Sequence, residues 1–418
     1  MGYSAHVSHL PIWVNPRGVR MPTAVLDLDL SRLPPEISGL ERYSHAFILV
    51  RFGGRPVGSA HVHLINGRIG GADLRDALTR AAGWRLWEAW LDISLRQEEA
   101  QSSHSASPTA TVAVCTRDRP AELGRCLDAL GRFIDDKQEI IVVDNCPATE
   151  ETRLLVKSHD RVRYVREDIP GLNAARNRAL REARHEIVAF MDDDAVPDPD
   201  WLRVLLRNFD DPLVFCVTGL TMPLELETEA QEWFERCNSF ARGFQRVIYD
   251  SANCAPPSAG RVGAGVNMAF RRSVLDRVGP FDETLDAGTP TRSGGDTEML
   301  SRLLAAGYRI VYDPAALNWH LHRKTWEELR KTLYGYGVGL YAFWMKALLV
   351  EREWSVLKTA SSWFFKHQLR QVLASLLRRP GRRPLDLILA ELRGCFWGPW
   401  AYVLSRRLRS RISGYDGN

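Results

Sequence analysis

The chain has 418 residues, 45% hydrophobic and 25% charged, an ordinary globular composition with room for two or three domains. Its seven cysteines are odd in number, scattered and without a CxxC pair, which excludes a disulfide framework or zinc site and fits a reducing, cytosolic setting. The net charge of +4 is uneven: residues 331–418 hold 15 Lys and Arg against 5 Asp and Glu, a surplus of +10, which leaves −6 on residues 1–330.

No basic segment followed by an apolar run opens the chain, so no signal peptide is expected. Residues 1–96 are expected to form a small α/β accessory domain. Strands are predicted at Val25–Leu30, Ala46–Val50 and Ser59–Leu64, and a helix at Asp73–Leu91. His61 and His63 alternate on one strand face and read as its polar side rather than as a metal pair. Residues 97–110, polar and Ser-rich, read as a linker.

From Thr111 strands alternate with helices. The strands are Thr111–Cys115, Glu139–Val143, Val162–Val165 and Ile187–Phe190, and the helices Pro120–Leu130, about Ala148–Lys157 and Asn173–Glu182. Such a series builds a parallel sheet with helices on both faces, and ligands bind outside the carboxyl ends of its strands. Three strands end there in polar clusters: Thr116-Arg-Asp-Arg119, Asp144-Asn145 and Asp192-Asp-Asp194. Three adjacent carboxylates repel one another unless a divalent cation sits over them; the alternative is a solvated turn. An EF-hand is excluded because Pro197 stands where that loop needs glycine. Gly171 leads into a helix with Arg176 one turn in, a geometry that receives anions, although an ordinary capped helix looks the same. His320 and His322 share one side of an extended segment after the strand Arg309–Tyr312, as a partial metal site or a solvated loop. The glycines of 260–265 lack the strand–turn–helix setting of a dinucleotide loop.

The segments T-R-D-R-P at 116–120, V-V-D-N at 142–145, P-G-L-N-A-A-R-N at 170–177 and M-D-D-D at 191–194 resemble family 2 glycosyltransferases of the GT-A fold. The resemblance continues in order with G-V-N-M-A-F-R-R at 265–272, G-G-D-T-E at 294–298 and N-W-H-L-H-R at 318–323. It covers residues 111–330 and implies an α/β, Rossmann-like catalytic domain that transfers a sugar from a nucleotide-sugar donor with inversion. By the same resemblance Thr116, Arg119, Asp144, Asn173, Arg176, Asp192 and Asp193 would hold the donor. Asp192, Asp194 and His320 would hold Mn²⁺ or Mg²⁺, and Gly265, Asn267, Glu298 and His322 would face the acceptor or its sugar. Asp296 is a helix N-cap or the general base, and the family pattern selects the base. Family members more often carry Glu where this chain has Gly295.

Residues 331–418 are expected to be a basic, aromatic helical region. Thr332–Val350 is its most apolar window, but Lys346 and three glycines make it a poor membrane span. Trp363–Leu377 and Leu385–Leu408 read as amphipathic helices suited to an anionic membrane surface, on the cytoplasmic face, or as a cap packed on the catalytic domain. A saccharide or lipid-linked acceptor would follow from the first reading; no nucleic-acid recognition motif is present. The rival functions are a nucleotidyltransferase, disfavoured because Thr116–Pro120 contains no glycine, and a non-catalytic sugar-binding scaffold.

Overall fold

A computed structural model of the chain describes residues 22–99, 109–377 and 382–415. Strands β1 (Thr23–Asp29), β2 (Glu36–Ile37), β3 (His45–Phe52), β4 (Arg55–His63) and β5 (Ile69–Gly70) precede helices α1 (Gly71–Ala82) and α2 (Trp84–Glu99). Side-chain alternation splits β3 between two cores. Ala46, Ile48 and Val50 pack with Leu74 and Leu78 of α1, whereas Phe47 and Leu49 pack on Leu220, Met222 and Leu317 further along the chain. His61 and His63 lie on the exposed face of β4, as expected. The single helix expected at Asp73–Leu91 is two, because Gly83 turns left-handed (φ 52°) and donates its N–H to the Thr79 carbonyl. Helix α2 runs into the expected linker, and residues 100–108 lie outside the described residues.

Next come β6 (Ala110–Thr116), α3 (Pro120–Phe133), β7 (Glu139–Asn145), α4 (Glu151–Lys157), β8 (Val162–Glu167), α5 (Leu172–Glu182) and β9 (Ile187–Asp192). The four strands lie in the order β9-β6-β7-β8, all parallel, as their periodicity implied. The chain leaves β6 towards β7 on one side and returns to β9 on the other, so a crevice opens at their carboxyl ends. Beyond β9 come β10 (Ala195–Pro197), α6 (Trp201–Leu206), β11 (Val214–Pro223), α7 (Glu229–Asn238), β12 (Val247–Tyr249), β13 (Asn267–Arg271), α8 (Val274–Arg277), α9 (Gly295–Ala305) and β14 (Arg309–His320). These strands extend the sheet in mixed directions: β13 runs antiparallel to both β9 and β11, and β14 parallel to β11. Val112, Leu127 and Trp201 pack on one face of this sheet, Ile141, Leu180 and Phe270 on the other.

The last elements are α10 (Trp326–Leu349), α11 (Ser355–Trp363), α12 (Leu369–Leu376) and α13 (Leu385–Tyr415). Helix α10 spans the boundary expected at residue 330, and its cleft-lining residues, from Lys331 to Phe343, lie beyond that boundary. Gly337 of α10 and Gly394 of α13 form a seam between the two helices. A Cβ on Gly337 would lie 2.2 Å from the Glu391 carbonyl oxygen, and one on Gly394 2.1 Å from that of Tyr334. The apolar, glycine-bearing window is thus a close helix contact, and among the described residues no helix is long and apolar enough to cross a membrane. An isolated helix gains about 1 kcal/mol from Gly→Ala. Here Gly394→Ala is expected to lower stability by about 1–3 kcal/mol through overpacking, read as a lower urea midpoint.

Candidate active site

The strand ends place the polar clusters together. Asp192 closes β9, and Asp193 and Asp194 form the turn into β10. Ala195 of β10 pairs with His320, the last residue of β14, and the Leu321 N–H donates to the Asp194 carbonyl at 2.9 Å. This pairing carries a residue from far along the chain to the acidic turn. The Nε2 atom of His320 lies 3.1 Å from Asp194 Oδ1, and Asp192, Asp194 and His320 each offer a ligand atom, all within 4.8 Å of one another. Two carboxylates and an imidazole suit Mn²⁺ or Mg²⁺, so the residues fit the cation that the sequence implied.

The surroundings decide which acid is charged. Thr116 donates to Asp193 Oδ2 at 2.7 Å, and Arg119 bridges Asp193 and Asp194, the latter at 2.8 Å. Burial pushes Asp193 up to about 7, helped by the Asp194 charge and opposed by Arg119. Burial raises Asp192 too, with Asp194 as the next cause. Asp194 goes the other way: burial works to raise it, but His320 and then Arg119 outweigh that and hold it far below the usual carboxylate range.

A stability prediction follows for metal-free protein. The Asp193 carboxyl is raised from 3.8 to about 7, so the folded state holds its proton where the unfolded state has released it. Stability therefore falls as pH rises from about 4 to about 7 and is level above. In EDTA, Asp193→Asn is expected to flatten that slope between pH 5 and 7 in urea titrations; an unchanged slope contradicts the assignment.

His320 and His322 do share a side, with Nδ1 atoms 3.0 Å apart, and His322 Nε2 meets Glu235 Oε2 at 3.0 Å. Phe234 of the same helix α7 packs its ring 4.5 Å from that of His322. Glu235 thus steadies the histidine pair, a role no local sequence signal announces. His322 lines the lobe of the cleft that holds the acidic turn, rather than the lobe around Asp296.

The cleft has two joined lobes, each about 600 Å³. One is lined by Thr116, Arg119, Asn145, Asp192–Asp194, His320, His322, Arg323 and Lys331. The other is lined by Arg176, Gly263–Val266, Asp296 and Thr297, with Leu340 and Phe343 of α10. Asp192, Asp286, Phe240 and Tyr336 border both. At the start of α9, Asp296 Oδ2 accepts the Gly265 N–H and Oδ1 the Thr297 N–H, each at 2.7 Å. A carboxylate has lone pairs beyond these two, so it can still receive a proton. The glycine at 265 is needed because a Cβ there would stand 2.6 Å from the Arg176 guanidinium. Gly265 thus lets Asp296 and Arg176 approach while it lines the Asp296 lobe. The glycine at 295 is explained similarly: a Cβ would meet Asn173 Nδ2 at 2.1 Å and Asp286 Oδ2 at 2.6 Å.

Several expected site residues lie elsewhere. Asn173 is fully buried and ties α5 to the Asp282 carbonyl (2.8 Å), so it braces the loop rather than touching the cleft. The Arg176 guanidinium pairs with Asp286 at 2.8 Å, and burial followed by that charge sets its state; it faces the Asp296 lobe. Asn267 is core: its amide spans the Leu220 and Ala316 carbonyls, 2.9 Å each, where β11 and β14 shift register. Glu298 is buried away from the cleft and bound by Arg302 and Lys346. The helix turns it some 200° from Asp296. Asp144 sits under the sheet edge, one oxygen accepting from Tyr164 at 2.9 Å and the other buried without a partner. It lines neither lobe. Asp286 itself escaped sequence reasoning, since its left-handed turn (φ 83°) reads as an ordinary loop.

Residues 111–279 match the family described as Glycosyl transferase family 2. A pre-mycofactocin glycosyltransferase of Mycobacterium tuberculosis is 31% identical over 234 residues, covering 54% of this chain and 46% of that protein. Glycosyltransferase AglE of Haloferax volcanii is 27% identical over 250 residues, 58% of this chain and 76% of its own length. The chain therefore spans about half the length of the mycobacterial relative. Among solved structures, the mannosyltransferase PcManGT from Pyrobaculum calidifontis, in complex with GDP-Man and Mn²⁺, aligns over 75% of this chain and 95% of its own at 19% identity and a TM-score of 0.49. Ordered motifs, sheet and family match agree over residues 111–279, which form a domain of Glycosyl transferase family 2.

Proposed function

We propose that the chain transfers a sugar from a nucleotide-sugar donor to a hydroxyl acceptor, with inversion at the transferred carbon. The observation that carries this reading is the two-lobed cleft, with Asp192, Asp194 and His320 in one lobe and Asp296 in the next. A divalent cation on the first group would neutralise the leaving diphosphate as a Lewis acid. Arg119, Arg323 and Lys331 line the same lobe and add positive charge for phosphate. Asp296 takes the acceptor proton, and the walls of α10 and the 263–266 loop hold the acceptor in line. A thermal-shift panel of UDP, GDP, dTDP and CDP, with and without Mn²⁺, tests this, since a ligand of the native state raises its melting temperature. A metal-dependent shift with one nucleotide supports the reading and names the base. No shift on folded protein moves the chain to a scaffold role.

We further infer that the C-terminal helices rest on an anionic membrane surface. Leu357, Phe365, Leu369, Leu373 and Leu376 are exposed and interleave with exposed Lys358, Lys366 and Arg370, while Trp344 and Phe343 pack inward. Exposed apolar and basic residues together fit an acidic bilayer. Co-flotation with phosphatidylglycerol vesicles, but not with pure phosphatidylcholine, is expected; indifference to both ends this reading.

A further inference from the structure

The segment that leaves α7 holds two guanidinium groups without a counter-charge. Arg236 lies over the Trp233 ring, 5.1 Å from its centroid, and its Nη2 is buried without a hydrogen-bond partner. The Arg242 guanidinium donates to the carbonyls of Ser239 (2.8 Å) and Ala241 (3.4 Å) through Nη1. Among the described residues no carboxylate comes within ion-pair distance of either. Asn238 Oδ1, between them in sequence, is also buried and unpartnered. All three residues line the Asp296 lobe.

Four carboxylates border that lobe: Asp192, Asp286, Asp296 and Glu391. Asp286 is neutralised by Arg176 at 2.8 Å and Glu391 by Arg383 at 2.6 Å, and Asp192 belongs to the acidic turn. What remains is one acid, Asp296, against two arginines. Buried polar atoms without partners are rare, and a buried guanidinium without a counter-charge costs stability. Burial accordingly holds both below the ordinary arginine range, a cost that a ligand oxyanion would remove.

Resting on the proposed transfer reaction, we propose that the Asp296 lobe is built for an acceptor saccharide that carries an oxyanion, a phosphate or a carboxylate, gripped by Arg236 and Arg242. Arginine is suited to both groups because its planar donors match their paired oxygens. The attacked hydroxyl then lies between this grip and Asp296, which fixes the acceptor's orientation as well as its charge. A phosphate reaches the lobe on a free sugar phosphate or on a lipid-linked one.

Titration of the full chain with glucose 1-phosphate, glucuronate, inorganic phosphate and methyl glucoside tests the proposal, with melting temperature as readout. Glucose 1-phosphate or glucuronate is expected to bind, weakening with salt, while methyl glucoside does not; whichever binds names the oxyanion. If free glucose 1-phosphate binds as tightly as a short-chain polyprenyl-phosphate sugar in detergent, the soluble source is favoured; tighter lipid binding favours the other. Arg236→Gln/Arg242→Gln is expected to weaken the anionic probe about 10- to 100-fold, the range for a charged hydrogen bond. Arg242→Lys should retain part of the affinity. Because neither guanidinium leaves a carboxylate behind, and Arg242 gives up only two carbonyl contacts within its own loop, the double variant should melt close to the parent; arginines that chiefly hold the fold would lower the melting temperature markedly. Equal binding of methyl glucoside, no binding of either anionic sugar, or binding that survives the double variant overturns the proposal. The Mn²⁺-dependent nucleotide shift, read on the same variant, reports the donor lobe separately, so failure of the transfer reading is distinguishable.

Discussion

Asp296→Asn is expected to lower kcat by about 10³-fold, the middle of the range for a lost general base, while leaving Mn²⁺-dependent nucleotide binding within about twofold of the parent. The split follows from the site. Asp296 lines the lobe next to the acidic turn, not the lobe of Arg119 and His320, so donor contacts survive its neutralisation. Asparagine keeps an oxygen for the Gly265 N–H (2.7 Å), so the loop should hold its place. A matching loss of nucleotide binding would mean that Asp296 supports the donor lobe instead, and near-parent turnover would remove it from the chemistry.

Asp194→Ala is expected to abolish the metal-dependent part of the nucleotide thermal shift and to lower turnover by about 10³-fold or more, since a cation at a transferring phosphate contributes several kcal/mol. Asp194 answers to His320 at 3.1 Å, Arg119 at 2.8 Å and Arg323 at 3.5 Å, so its loss leaves three groups without their shared acid. Some destabilisation is therefore expected as well, and the shift must be compared with and without Mn²⁺ on the same variant. A metal-dependent shift that persists would place the cation elsewhere. His320→Gln should weaken the same shift while keeping the fold closer to the parent.

The alternating half of the catalytic sheet was legible because strands buried on both faces read as apolar runs, and their helices show one apolar stripe each. Val112, Ile141 and Val188 are all buried in such runs. The clustering of Thr116 and Asp192–Asp194 at one edge followed from parallel topology alone. The second half was less open to reading: β13 and β14 pair antiparallel or parallel with strands remote in sequence, and no period reports a partner. Asn267 shows the consequence. It sits within a motif that looks like an acceptor contact, yet its amide closes a register shift between β11 and β14. Glu298 shows another: two residues from Asp296, it is carried round the helix into the charges of Arg302 and Lys346.

What the sequence determined by itself is local: the apolar periods, the turn chemistry, and the acids and histidines that a metal and a base require. Backbone preference and burial act over a few residues, so these survive without knowledge of the whole. Only the tertiary structure decided which groups meet. It brought His320 to Asp194 through the pairing of β10 with β14, seated Asp286 on Arg176, and made α10 a wall of the cleft. It also left Arg236 and Arg242 lining Asp296's lobe, with no carboxylate partner for either among the described residues. The physical reason is that charge is settled by distance in space, and neither a partner gained nor a partner missing is written into neighbouring residues.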